Sequence, residues 1–453
     1  MPPSQPSEQG RSGDVLPSPA LPLRSCPGVF QPAFPRRACL ARIRIVVALC
    51  LTYAVFAILL NSVGTVILQS INSFGVAKTQ AALLDGFKDI PIAVGSFLVA
   101  SFLPRLGYRR AIMLGLVIVA LACAAMPLVE TFWMTRLLFV SVGVSFALVK
   151  ISVYSSVGLI THEQHRHASL IRTIEGVFMA GVLSGYWLFG FFIDPRAPSS
   201  LGWLHVYWLL AALSFAAAFL VLISPLDESG AKPPRSRLAD DFAAFPRLMA
   251  EPFMLAYLAA TFLYVLVEQS FGTWLPTFNN KVLALPPDMS VQAASIFAAA
   301  IMMGRFGSGV VLRKASWIKV LIVCIVGMAA VVLLALPLAR SGGAALTSWA
   351  NAPLAAYLVP MIGLFMGPIY PTVNSVILSA LATERHSAMT GLIVTFSALG
   401  GTLGSFITGR VFGWLGGQTA FYLSLVPMLL LALSLIRLRT ILGRTESAIR
   451  QPA

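Results

Sequence analysis

RLGYRRAIMLGLVIVALACAAMPLVE, residues 105–130, decides how the rest of the chain is read. A glycine turn flanked by Arg105, Arg109 and Arg110 opens it, and no charged residue follows until Glu130. About 20 apolar helical residues cover the roughly 30 Å of a bilayer's hydrocarbon, so this run reads as a spanning helix. Lys and Arg are retained on the cytoplasmic side of such helices, which places the glycine turn inside.

Comparable runs recur in both directions, near 43–68, 80–104, 110–128, 133–158, 169–193, 203–224, 254–278, 290–312, 316–338, 353–381, 386–410 and 414–436. The pattern predicts an all-α membrane protein with twelve transmembrane helices. Composition agrees, because 58% hydrophobic and 11% charged residues in 453 cannot supply a polar surface for a soluble protein. The lipid bilayer is the expected solvent, and it tolerates the 29 Pro and 35 Gly because neighbouring helices re-satisfy freed backbone groups. Cys26, Cys39, Cys50, Cys123 and Cys324 have no disulfide or metal-ligand spacing, so neither a metal nor a cofactor is expected.

Residues 1–42, rich in Pro, Ser and Arg, read as a disordered cytoplasmic tail. A linker at 225–253, containing Lys232-Pro233-Pro234-Arg235, divides a six-helix unit at 43–224 from another at 254–436, and 437–453 reads as a cytoplasmic tail. Of 32 Lys and Arg, only Lys78, Arg196, Lys281, Arg340 and Arg410 fall on the connections opposite the glycine turn. This predicts a multi-pass protein of the inner (plasma) membrane with both termini cytoplasmic. The net charge of +15 lies along that membrane face and does not point to nucleic acid.

The two units also repeat each other. At an offset of 219, Ser156-Val157, His167, Gly181, Gly185 and Gly190 meet Ser375-Val376, His386, Gly400, Gly404 and Gly409. At an offset of 209, Gly95, Phe97 and Arg105 meet Gly304, Phe306 and Lys314. Duplicated units of this kind predict two pseudo-symmetric six-helix bundles.

Charged side chains cost at least about 2.5 kcal/mol at mid-bilayer, so those inside the spans are site candidates. Asp85, Lys88 and Asp89 share one face of span two, as a solute site, a gate or an internally compensated cluster. Lys150 and Glu175 sit at similar depth in spans four and five and are expected to pair, with Arg172 one turn away and Arg305 a further buried charge. Glu268 lies mid-way along span seven, followed by Gln269 and by Trp274, which is placed to stack on a sugar ring or to belong to an interfacial belt. Asn61 in span one, and Tyr370, Pro371 and Asn374 in span ten, interrupt apolar helices with hydrogen-bonding groups and a kink.

The loop Arg105-Leu106-Gly107-Tyr108-Arg109-Arg110, with a weaker echo after span eight, resembles the signature between helices two and three of the major facilitator superfamily. The resemblance covers about residues 45–436; Pro104 stands where the family usually has an acid. Residues Tyr264 to Leu275 and Gly367-Pro368-Ile369-Tyr370-Pro371-Thr372 look most like the fucose/galactose/glucose proton symporter branch. Spans one and four of its proton-coupled members carry acids where this chain has Asn61-Ser62 and Lys150. The resemblance implies a monomeric secondary transporter moving a small polar solute, a sugar or sugar derivative, by alternating access, with H+ as coupling ion. It also implies a cytoplasmic gate loop of Arg105, Gly107, Arg109 and Arg110, and a central cavity lined by spans one, four, seven and ten.

A proton-coupled exporter of drugs or metabolites is the alternative, although Tyr186 follows Gly185 where such exporters have Pro. An enzyme would need a catalytic cluster, and the sequence has no HExxH or GxSxG with a paired base. His162, His165 and His167, beside Glu163 and Arg166, read as a solvated loop face.

Overall fold

A computed structural model describes residues 36–160, 164–224, 226, 228, 252–339, 348–380 and 386–450. The chain divides into a short unit, Met1–Leu40, and a long unit, Ala41–Ala453. All regular elements among the described residues are helical. Ten of the expected spans correspond to helices or near-continuous helix pairs at Arg36–Asn61 with Val63–Ser73, Leu84–Leu106, Tyr108–Val129, Phe132–Ile160, Gln164–Phe192, Val206–Ile223, Pro252–Lys281, Pro287–Val311, Trp317–Ala335 and His386–Leu415. Span ten is built from the pieces Ala355–Leu358, Ile362–Met366 and Ile369–Ala380, and span twelve from Gly417–Leu423 and Leu425–Arg450.

Among the described residues, eleven helical spans are long and apolar enough to cross a membrane by length and composition alone. Span two, Leu84–Leu106, is of similar length and carries Asp85, Lys88, Asp89 and Arg105. At the ends, helix outruns hydrophobicity: the first span begins at Arg36 and the last continues to Arg450, both within stretches expected to be tails.

Local chemistry explains the breaks. Asn61 Nδ2 donates to the Ala57 carbonyl at 2.9 Å and Ser62 Oγ to that of Leu59 at 2.8 Å, so side chains compete for helix acceptors where span one is interrupted. In span ten the breaks fall at Val359–Met361, around Pro360, and at Gly367-Pro368, not at Pro371 as expected. Pro371 lies in the first turn of Ile369–Ala380, where a missing N–H costs little. Gly107 adopts φ +86°, a backbone position that disfavours a Cβ, and so permits the abrupt turn from span two into span three.

The repeat is visible in the packing. A Cβ on Gly181 would lie 2.9 Å from the Ala54 carbonyl oxygen of span one, and one on Gly400 2.4 Å from that of Phe262 in span seven. Gly185 likewise rests on Ile58, and Gly404 on Leu266. Spans five and eleven therefore approach spans one and seven through equivalent glycines, as small residues allow in membrane bundles. Between the halves, span two packs on span eleven and span five on span eight, two contacts that a twofold exchange of the halves would interchange.

Candidate functional site

Between the halves lies a cavity of about 220 Å³. Span one contributes Asn61 and Gly64 beside its break, span two Lys88, and span five Tyr186. Span seven contributes Glu268, Gln269 and Thr273, and span eight Arg305. Of the spans expected to line it, one and seven do; spans two, five and eight stand where four and ten were expected.

Closure at one end explains this. At the end bearing Lys78, Thr273 Oγ1 donates to Asp85 Oδ2 at 2.8 Å, bridging spans seven and two. A Cβ on Gly64 would lie 2.5 Å from the Thr273 carbonyl oxygen, so span one also lies hard against span seven there. Asp89 packs against Gly401 of span eleven. Further out, Lys281 Nζ donates to Asn72 Oδ1 at 2.7 Å and Lys78 sits over the Phe412 ring at 4.8 Å.

The expected cluster on span two is formed. Lys88 Nζ lies 3.1 Å from Asp85 Oδ1, 3.4 Å from Asp89 Oδ1 and 3.5 Å from the Leu60 carbonyl oxygen. An ammonium has three donors, and three acceptors surround it. Glu268 and Arg305 face each other across the cavity wall at 3.9 Å, with side chains 24% and 41% exposed. That separation makes an ion pair but not a hydrogen bond.

Other expected residues lie elsewhere. Trp274 is fully buried, stacks on Phe412 with centroids 5.5 Å apart and donates its indole N–H to the Ser405 carbonyl at 3.0 Å. It is a packing residue and has no face for a sugar. Tyr370 packs on Tyr264 and reaches Ser397 Oγ at 3.3 Å, and Asn374 accepts a hydrogen bond from Tyr257. Neither lines the cavity.

No ion pair within 4 Å joins Lys150 to Glu175. Glu175 accepts a hydrogen bond from Tyr154, one turn along span four from Lys150, while the Lys150 ammonium lies 5.8 Å from the centre of the Phe146 ring. The tyrosine reaches the acid first. Arg172 is exposed.

At the Gly107 end, Glu228 was not anticipated. Its carboxylate accepts the backbone N–H groups of Tyr108 at 3.1 Å and Arg109 at 2.7 Å, satisfying the start of span three. Arg109 Nε donates to the Val221 carbonyl at 3.2 Å, tying span three to the end of span six. Arg110 is exposed and the Arg105 side chain lies outside the described residues. No group of three or more His, Cys, Asp or Glu able to hold a metal occurs among the described residues.

Comparison with known proteins agrees with this architecture. The chain is 23% identical over 366 residues to glucose/galactose transporters of Brucella abortus biovar 1 (strain 9-941) and Brucella abortus (strain 2308), covering 78% of this chain and 84% of each relative. Among solved structures it resembles a bacterial homologue of the human lysosomal transporter Spinster in its inward-facing, unoccupied conformation, with TM-score 0.67 and 17% identity over 89% of this chain and 98% of the other. It also resembles the nucleoside transporter NupG, TM-score 0.66 and 16% identity over 88% and 98%, and the transporter FucP in the outward conformation, TM-score 0.56 and 15% over 88% and 99%. The profile of the Major Facilitator Superfamily matches residues 48–405. The molecule is thus a multi-pass membrane transporter and not an enzyme, and the chain belongs to the major facilitator superfamily.

Proposed function

We propose that this transporter moves a sugar or sugar derivative across the inner membrane by proton-coupled symport, as a monomer with both termini cytoplasmic. The observation that carries the reading is the small cavity between the halves, where Asn61 and Lys88 from one half face Glu268, Gln269 and Arg305 from the other. A polar wall contributed by both halves is what alternating access requires, because rocking one half against the other then exposes the same groups to each side in turn. The names of the relatives, glucose/galactose transporter among them, support a sugar as solute.

The positive-inside distribution makes the Gly107 end cytoplasmic. The contacts of Asp85 with Thr273 and of Lys281 with Asn72 then close the extracytoplasmic side, and the arrangement is an inward one. Glu268 is the acid that carries the coupling proton: it lines the cavity, and its nearest cation is too distant to hydrogen-bond it. In right-side-out vesicles with a more acidic exterior, the wild type is expected to concentrate its sugar. Glu268→Gln should abolish accumulation while sparing exchange down a gradient, because the amide imitates the protonated acid permanently. Normal accumulation by a folded Gln variant would remove Glu268 from this role.

A further inference from the structure

Among the described residues, Glu268 alone engages the Arg305 side chain, and only at ion-pair distance. Its guanidinium carries five N–H donors, and none forms a hydrogen bond with a described residue. Its one ion-pair partner among the described residues, Glu268, stays at 3.9 Å. The side chain is 41% exposed and lines the cavity between the halves. Donors that face a cavity and no protein acceptor are open to a ligand whose acceptors can replace water there. The guanidinium plane is a fixed fork that matches a carboxylate with two parallel hydrogen bonds, whereas sugar hydroxyls would engage its donors singly.

We propose that the solute is an anion, a small polyhydroxylated carboxylate of the sugar-acid class, and that its carboxylate occupies the Arg305 fork in place of Glu268. The inference rests on the sugar-carrier reading above and narrows it. A single negative charge fits better than a phosphate dianion, because the other cavity cation, Lys88, is already surrounded by Asp85, Asp89 and the Leu60 carbonyl.

The exchange accounts for coupling. An incoming carboxylate takes the guanidinium from Glu268, leaving that acid without its nearest opposite charge. Taking up one proton on Glu268 restores the charge balance: solute carboxylate, Glu268 carboxylate and a proton become solute carboxylate on Arg305 and a neutral Glu268. One anion thus enters with one proton, and the cycle moves no net charge.

The test uses purified full-length protein and four probes: D-glucuronate, D-gluconate, glucose 6-phosphate and D-glucose. Calorimetric titration should show the wild type binding glucuronate or gluconate at least tenfold more tightly than glucose. Arg305→Gln should bring acid and neutral sugar within about twofold, and Arg305→Lys, which keeps the charge but loses the fork, should fall between. In proteoliposomes, sugar-acid uptake should follow a pH gradient and ignore an imposed membrane potential. Glucose binding as tight as glucuronate, or a preference that survives in Arg305→Gln, overturns the proposal. If that variant does not fold, Arg305→Lys decides, and an unchanged preference overturns it. Tighter binding of glucose 6-phosphate overturns the carboxylate assignment. Transport of glucose without the acids would sink the inference and leave the sugar reading standing; binding of none of the four removes both.

Discussion

Spans two and eight occupy matching places in the two halves, and each brings one cation to the same cavity, yet the two cations are treated in opposite ways. Lys88 is 7% exposed and has an acceptor for each of its donors, two of them carboxylates from its own helix. Arg305 is 41% exposed and faces one acid at 3.9 Å. Insertion penalises both alike, so the difference lies in what each is kept for. Lys88 holds Asp85 in place while Asp85 accepts from Thr273 of the opposite half, which makes it part of the closure. Arg305 makes no such link among the described residues and stays open to the cavity. One half thus ties its cation into the contact between the halves, and the other leaves its cation on the cavity wall.

The comparison breaks if the two cations prove equally important to stability. Lys88→Met strands Asp85 and Asp89 as buried, unpaired acids, and loss of one partner from such a cluster costs about 3–5 kcal/mol. Thermal unfolding in detergent should show a large loss, most of it recovered when Asp85→Asn and Asp89→Asn are added. Arg305→Met breaks only a long, half-exposed pair, and its cost should stay below about 1 kcal/mol. Equal losses would mean that Lys88 is no better held than Arg305.

A second contrast lies on the same two helices, at glycines 209 residues apart. A Cβ on Gly304 would sit 2.1 Å from the Leu364 carbonyl oxygen of span ten, an atom that cannot move without its helix. On Gly95 the nearest atom would be the Ala147 Cβ of span four at 2.8 Å. Gly304→Ala should therefore cost about 1–3 kcal/mol by overpacking, and Gly95→Ala distinctly less. The same unfolding assay checks the order, and a reversed order would mean that spans two and eight are not packed as this structure has them.

How far the sequence led can be judged residue by residue. Length and apolarity mark all twelve spans in the sequence, span two among them despite Asp85, Lys88 and Asp89 on one face. The paired glycines foretold the repeat; that they let spans five and eleven approach spans one and seven closely is seen only in the structure. Legibility ended where a polar group's partner lies on a distant helix. Trp274 and Asn374 look like solute ligands in sequence, but Ser405 and Tyr257 satisfy them. Tyr154 intercepts Glu175 from one turn beyond Lys150. Glu228 was hidden in a linker read for its positive charge; the missing acid at Pro104 was the signal that an acidic partner for the glycine turn had to come from elsewhere. The lining by spans two, five and eight follows from closure at the Lys78 end, a property of conformation that no single sequence displays.

The smallest effect expected concerns Thr273, the residue through which the Lys88 cluster reaches the opposite half. Its hydroxyl donates to Asp85 Oδ2 at 2.8 Å, while Lys88 holds Oδ1 of the same carboxylate. Thr273→Val keeps shape and volume but removes the donor, and because Lys88 remains, Asp85 is not left unpaired. The loss should be that of an ordinary net hydrogen bond, about 0.5–1.5 kcal/mol, or roughly two- to tenfold in the balance between closed and open. Only the state closed at the Lys78 end contains this bond, so the shift must be toward opening there. In a background lacking the native cysteines, Asn61→Cys places a thiol on the cavity wall as a reporter. Adding Thr273→Val should increase its labelling by an impermeant reagent from outside the cell, and Thr273→Ser, which restores a donor, should return it toward the parent level. Unchanged labelling in Thr273→Val would show that the Asp85 bridge does not hold the closure. Lys88 would then neutralise acids on its own helix and do nothing across the interface.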